Sequence, residues 1–257
     1  MAASPPHRRA RIAAAFGAAD DYDSAAIVQR AAAERLAGTV AALRLPEHPR
    51  ILELGCGTGF VTRAIDRAVG GARWTISDIA PAMVDRARAR LGLDADYRVL
   101  DGEAVDPAIG PFDLIVSGMA FQWFADLPAA LARLAALLAP GGALAFSTMA
   151  EGSLAEWTEA LAAEGLPAGL PAYPGRAALA AMAPPGFDAE VTVVDLPEPQ
   201  ADARTFLRGL KTIGAGTAAG GYRPLPPAAL RRAMARFDAG PRRVTYRIGF
   251  CLLRARA

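Results

Sequence analysis

The chain of 257 residues is poor in the side chains that most often carry out catalysis. It has one lysine, Lys211, two histidines, His7 and His48, and two cysteines, Cys56 and Cys251. Two cysteines, one of them within a glycine-rich stretch, imply no disulfide framework and fit a reducing cytoplasm. No metal ligand set is read from the chain. No uninterrupted run of about 18 apolar residues occurs, so no membrane-spanning helix is expected. Basic segments interleaved with aromatics are also missing, which argues against nucleic acid as a partner. Aromatics are only 7% of the residues, and alanine makes up much of the 53% hydrophobic content. The apolar volume is therefore smaller than that percentage suggests. A mean hydropathy of +0.21 still excludes a disordered chain.

Length allows one α/β domain with an added substrate-binding portion. Arg8, Arg9 and Arg11 ahead of Ile12 to Phe16 faintly suggest a leader, but Asp20, Asp21 and Asp23 follow at once, against export. The net charge of +2 is unevenly spread. From Gly186 onward, eleven arginines and Lys211 face six acids, about +6, leaving about −4 for the rest. This split suggests an anionic partner for the C-terminal part, with a solvated basic face as the alternative.

Hydrophobic spacing predicts a helix over about 24–45, ended by Pro46 and Pro49. Strands are expected at 50–54, 73–77, 96–100, 112–117 and 143–148. Helices are expected between them at 60–69, 81–91 and 127–138, the last closed by Pro140-Gly141-Gly142. Five such alternations describe a doubly wound parallel sheet. After residue 150 the pattern changes. Helices at 153–163, 203–213 and 227–237, strands at 189–196 and 243–253, and an irregular Pro/Gly-rich stretch at 165–185 are expected.

The chemistry concentrates at the strand ends. Glu53-Leu-Gly-Cys-Gly-Thr-Gly59 directly follows the first strand, and glycines at 55, 57 and 59 allow a tight turn and close approach to a ligand. Dinucleotide sites space the third glycine one residue later and aim a helix N-terminus at a pyrophosphate. Glu53 beside this loop would repel a pyrophosphate, but suits a cofactor carrying an ammonium and a sulfonium. Asp78, with Ile79 and Met83 after it, ends the second strand where a carboxylate accepts ribose hydroxyls. Asp101, Gly102 and Glu103 tip the third strand, with Asp101 suited to an adenine amino group, and Ser117 ends the fourth. Each has an ordinary alternative: a helix cap for Asp78, a turn for Asp101, a small loop residue for Cys56. Together they point to S-adenosylmethionine, with S-adenosylhomocysteine as product.

The runs Leu52 to Gly59, Asp78 to Met83 and Phe112 to Ser117 resemble class I methyltransferases. Other stretches resemble the malonyl-acyl-carrier-protein O-methyltransferases of biotin synthesis. These are Ala13 to Gly17 with Tyr22, Gln29-Arg30, Ala120-Phe-Gln-Trp-Phe124, Phe146-Ser-Thr148, Gly152-Ser-Leu154, Phe206 to Ala215, and Thr245 to Phe250. The resemblance implies a Rossmann-like, seven-stranded, mostly parallel sheet with an antiparallel last strand and helical caps at both ends. It implies an N-terminal lid over 1–45, a cofactor core over 46–150, and a remainder over 151–257 carrying cap helices at about 201–238.

The expected reaction is methylation of the free carboxylate of malonyl-acyl carrier protein, with another small-molecule O- or C-methyltransferase or a non-catalytic assembly factor as alternatives. By the resemblance Arg208 pairs with the malonyl carboxylate, Tyr22 hydrogen-bonds it, and Gln122 and Trp123 wall the methyl pocket. Lys211, one helical turn from Arg208, is read either as a cation for the carrier protein or as a solvated position. A carboxylate ionised far below pH 7 needs no general base, so the scarcity of histidine is no objection.

Overall fold

In the computed structural model, residues 10, 12–14, 16, 17, 26–212 and 224–256 are described. Tyr22 lies outside them. Among the described residues seven strands form one sheet: β1 (Arg50–Leu54), β2 (Arg73–Asp78), β3 (Asp96–Val99), β4 (Phe112–Gly118), β5 (Leu138–Met149), β6 (Phe187–Pro199) and β7 (Arg243–Ala255). Their order is β3-β2-β1-β4-β5-β7-β6. The first five strands run parallel, and β7 is antiparallel to both β5 and β6.

The order follows from hydrophobicity. Arg50–Leu54 is apolar on both faces apart from Glu53, and a strand of that kind belongs at the centre of a covered sheet. On one face lie α1 (Ile27–Ala41) and α2 (Phe60–Val69), which pack Leu36, Val40 and Ile65 over Ile51 and Val116. Between β2 and β3, α3 (Pro81–Leu91) adds Ala87 to this layer. On the other face α4 (Leu127–Ala135) presents Leu131 and Leu134 to Leu52, Leu54 and Ile115. The chain leaves β1 toward β2 and β3, then returns to β4 on the opposite side. The C-terminal ends of β1 and β4 therefore flank the crevice where open α/β sheets hold ligands.

Three elements depart from the sequence expectation. The fifth strand begins at Leu138, because Phe112 pairs with Leu138 before a register shift leads to Leu114 and Ala143. Pro140 to Gly142 thus lie within an irregular strand start, and α4 ends earlier, at Ala135. Within the stretch expected to be irregular, α6 (Arg176–Ala181) forms and buries Leu179 against the sheet. Finally, β6 and β7 pair along their full 13-residue lengths. Arg256 with Asp188, Arg254 with Glu190, and Arg247 with Asp195 bridge the two strands.

Between β6 and β7 the chain inserts α7 (Ala203–Thr212) and α8 (Pro227–Ala239). They are held to α5 (Ala155–Ala162) by an aromatic cluster. Trp157 lies edge-on to Phe206 at 5.9 Å and to Phe237 at 6.0 Å, and Phe206 stacks on Phe237 at 6.0 Å.

Candidate active site

A cleft of about 750 Å³, measured to its open mouth, lies across the C-terminal ends of β1, β2, β3 and β4. Its floor is the glycine loop after β1. Gly55 has φ +73°, and a Cβ there would fall 2.4 Å from the Ala120 Cβ, so only glycine fits. This close approach brings the β1 loop against the β4 loop and leaves backbone exposed at the base of the cleft.

Asp78, almost fully buried, sits at the lip. Its Oδ2 accepts from the Gly57 N–H at 3.0 Å and its Oδ1 from the Ala80 N–H at 2.9 Å. One carboxylate therefore fixes the glycine loop to the start of α3. Burial raises its pKa, and the backbone N–H bonds pull it back. Asp101 lines the cleft and caps its own turn, accepting from the Glu103 N–H at 3.0 Å. Glu103 Oε1 accepts from the N–H groups of Ala125 and Asp126 at 2.9 and 3.1 Å, holding the β3 and β4 loops together.

Nine of the sequence-predicted residues line this cleft: Gly55, Gly57, Asp78, Ile79, Met83, Asp101, Gly102, Glu103 and Trp123. Others lie beneath or behind it. Ser117 is fully buried and donates to the Leu54 carbonyl at 2.8 Å, tying β4 to β1. Gly59 is the left-handed residue that opens α2, and Cys56 is a buried thiol whose pKa burial pushes well up. Gln122 donates to the Met119 carbonyl at 2.5 Å and accepts from Thr148 Oγ1 at 3.3 Å, so it braces the β4 loop.

Glu53 is completely buried under the glycine loop. It accepts a short hydrogen bond from the Thr62 hydroxyl on Oε2, while Oε1 has no partner. Burial, with Asp78 nearby, raises its pKa to about 7, against the lowering effect of Thr62.

Arg208 and Lys211 are exposed on α7 and are not among the cleft-lining residues. Arg208 donates to Thr205 Oγ1 at 3.3 Å.

The upper wall is apolar: Ile12, Phe16, Met119, Trp123 and Phe124. Phe16 meets Trp123 edge-on at 5.6 Å, and Arg86 donates to the Gly17 carbonyl at 3.1 Å. Ile12 and Phe16 thus belong to the cleft wall. Ile12, Leu54, Leu100, Gly118, Met119 and Phe124 carried no site signal in the sequence, since apolar residues beside a strand end read as core. Met119 differs from ordinary core by its backbone, at φ +55°, a strain often found beside functional sites.

Residues 51–142 match the family model described as a methyltransferase domain. The chain is 48% identical over 234 residues to the biotin biosynthesis bifunctional protein BioCD of Bordetella avium, covering 91% of this chain and 50% of that protein. The chain thus spans about half the length of that bifunctional relative. It is 39% identical over 229 residues to the malonyl-(acyl-carrier protein) O-methyltransferase of Magnetococcus marinus, covering 88% of this chain and 84% of that one. Among solved structures, the plantazolicin methyltransferase BpumL in complex with SAH shares the fold, with a TM-score of 0.56 at 13% identity, covering 97% of this chain and 96% of that one.

Proposed function

The chain belongs to the malonyl-(acyl-carrier protein) O-methyltransferase family, and on that premise we propose that it methylates the free carboxylate of a malonyl group carried on acyl carrier protein. The observation that carries this reading is the 39% identity to such an enzyme over 84% of that enzyme's length.

The residues present fit S-adenosylmethionine as methyl donor. A Cβ at Gly55 would strike Ala120, so the loop keeps bare backbone at the cleft floor, and a buried carboxylate oxygen without a partner lies under it. We assign Asp78 to the ribose hydroxyls, Asp101 to the adenine amino group, Ile79 and Met83 to the base, and the Gly55 and Gly57 backbone to the methionine portion. Bound there, the cofactor supplies an electrophilic methyl group on a positively charged sulfur.

The protein's own contribution is positioning and exclusion of water. The acceptor is already an anion at neutral pH, so no side chain has to remove a proton. Ile12, Phe16, Trp123 and Phe124 surround the reaction space with apolar surface. A carboxylate that enters there loses hydration and gains nucleophilicity. Holding it in line with the methyl group provides much of the acceleration.

The carrier protein is acidic, and the structure narrows the basic surface that would meet it. Arg232 and Arg236 both bind Glu164, Arg243 binds Glu156, and Arg247, Arg254 and Arg256 bind acids of β6. Arg204, Arg208 and Lys211 on α7 and Arg231 on α8 are exposed and form no ion pair among the described residues. We propose that α7 and α8 form the substrate cap and that these four cations steer the carrier protein. Arg208 is the proposed partner of the malonyl carboxylate, since a guanidinium fork matches a carboxylate bidentately. Tyr22 is proposed as a second hydrogen-bond donor to it. A cytoplasmic setting fits the two free, buried cysteines.

Replacing Arg208 with Ala tests the clamp: malonyl transfer should be lost while cofactor binding is retained. Unchanged turnover would move the clamp elsewhere.

A further inference from the structure

Glu53 is an unusual residue to find at the centre of a sheet. A fully buried carboxylate is normally paired or fully hydrogen-bonded. Here one oxygen accepts from the Thr62 hydroxyl and the other has no partner. Among the described residues no cation forms an ion pair with it. Thr62 faces it from α2, and Asp78 at the end of β2 adds a second negative charge. Cys56 in the glycine loop and Tyr97 on β3 are also within electrostatic reach: burial is the main cause that raises the pKa of each, and Glu53 adds a smaller part. Of the arginines in this region, Arg88 lies over the Tyr97 ring at 5.0 Å, and Arg30 and Arg90 lie over the Phe60 ring at 5.2 and 5.4 Å. The neighbouring strand position is Val116 of β4, and α1 contributes Leu36 and Val40 to the same layer, none of them titratable.

The two carboxylates, Glu53 and Asp78, therefore lie close together at a single loop; backbone N–H groups serve Asp78, and among the described residues no ion pair is formed with either. This arrangement suits a ligand that brings positive charge to the top of that loop. In the free protein the desolvated carboxyl sits near neutrality, at about 7. A cationic ligand above the loop favours its ionised form.

We propose that Glu53 is a charge sensor for the cofactor, losing its proton when the cationic cofactor occupies the glycine loop, and that Thr62 is the positioning residue that holds Glu53 for this role. The inference rests on the cofactor assignment above and goes beyond it: it predicts proton release on binding and assigns a role to Thr62. The sign is set by linkage. A group whose pKa falls on binding makes binding weaker as pH drops below its free value. Affinity for S-adenosylmethionine should therefore fall below pH 7 with a slope approaching about tenfold per pH unit. Uncharged methylthioadenosine, which has neither the sulfonium nor the amino acid, should bind without this slope.

The test is calorimetric binding of S-adenosylmethionine and of methylthioadenosine to the whole protein from pH 5.5 to 8, in buffers of different ionisation enthalpy. The expected result is proton release near pH 7 with the charged ligand alone. In Glu53→Gln that release disappears and the affinity becomes flat with pH. In Thr62→Val the slope moves to higher pH, because a hydrogen bond favouring the ionised carboxylate is gone; Thr62→Ser restores the wild-type profile. A Thr62 role in packing alone would weaken binding equally at every pH and would overturn the positioning claim. Equal pH slopes in wild type and Glu53→Gln would overturn the sensor. Absence of any S-adenosylmethionine binding would instead defeat the cofactor assignment. Thermal melts of each variant without ligand identify any that fail to fold, and for those Glu53→Asp is the replacement.

Discussion

Asp78 accepts from the Gly57 and Ala80 N–H groups, the Ile79 N–H also stabilises its charge, and it lines the cleft where we assign the ribose hydroxyls. An amide at this position would keep one acceptor and turn a donor toward backbone N–H groups. Asp78→Asn should therefore weaken S-adenosylmethionine about 10- to 100-fold in calorimetry, the range for losing hydrogen bonds to a charged group. Gly55→Ala acts on the same loop by a steric route, with φ +73° and the Ala120 contact both against it. It should cost about 1–3 kcal/mol of stability by chemical denaturation and abolish cofactor binding. Glu53 makes a separate prediction for the free protein. Its folded pKa, about 7, lies above the usual carboxylate value of 4.5. Its contribution is therefore most favourable below the lower value and is lost as pH rises through the higher one. Glu53→Gln should raise the melting temperature relative to wild type more at pH 8 than at pH 5. The glycine spacing and the acids at strand ends were visible in the sequence because each belongs to a short contiguous motif. That Glu53 points under the loop, and Ser117 away from the cleft, was not visible, because both depend on which face of a strand meets which helix.

At the scale of elements, β1 and β4 were legible as apolar runs, while β2 and the largely exposed β3 were legible from their place between helices ended by glycine. The start of β5 was not, because Leu138 to Gly142 pair with β4 only through an irregular register. α6 was hidden by flanking prolines and glycines, although Arg176–Ala181 is made of good helix formers. The apolar wall formed by Ile12, Phe16 and Phe124 needed the tertiary structure, which brings positions 12 and 124 to one cleft. α7 and α8 are attached to α5 through Trp157, Phe206 and Phe237. Trp157→Ala should cost about 3–5 kcal/mol, read from denaturant unfolding, because it leaves a cavity between α5, α7 and α8. If α7 carries the substrate contacts, a milder Phe237→Leu should raise KM for the carrier-bound substrate while leaving cofactor affinity unchanged. An equal loss of cofactor affinity would place the cap helices in the cofactor site instead.

At the scale of the whole molecule, the basic excess read from the C-terminal sequence is partly consumed by pairs between β6 and β7 and by Glu156 and Glu164. Among the described residues, the exposed cations of this part that form no ion pair are Arg204, Arg208 and Lys211 of α7, Arg231 of α8, and Arg242 beyond it. Steering by such charges is screened by salt. Raising ionic strength from low to about 0.5 M should therefore increase KM for a carrier-bound substrate much more than KM for S-adenosylmethionine. The central claim is the identity of the acceptor. Transfer of labelled methyl from S-adenosylmethionine should be compared side by side on malonyl-carrier protein, malonyl-CoA and acetyl-carrier protein. The account predicts labelling of malonyl-carrier protein as a base-labile methyl ester, weaker labelling of malonyl-CoA, and none of acetyl-carrier protein. Equal or better labelling of a free small acid than of malonyl-carrier protein would contradict it.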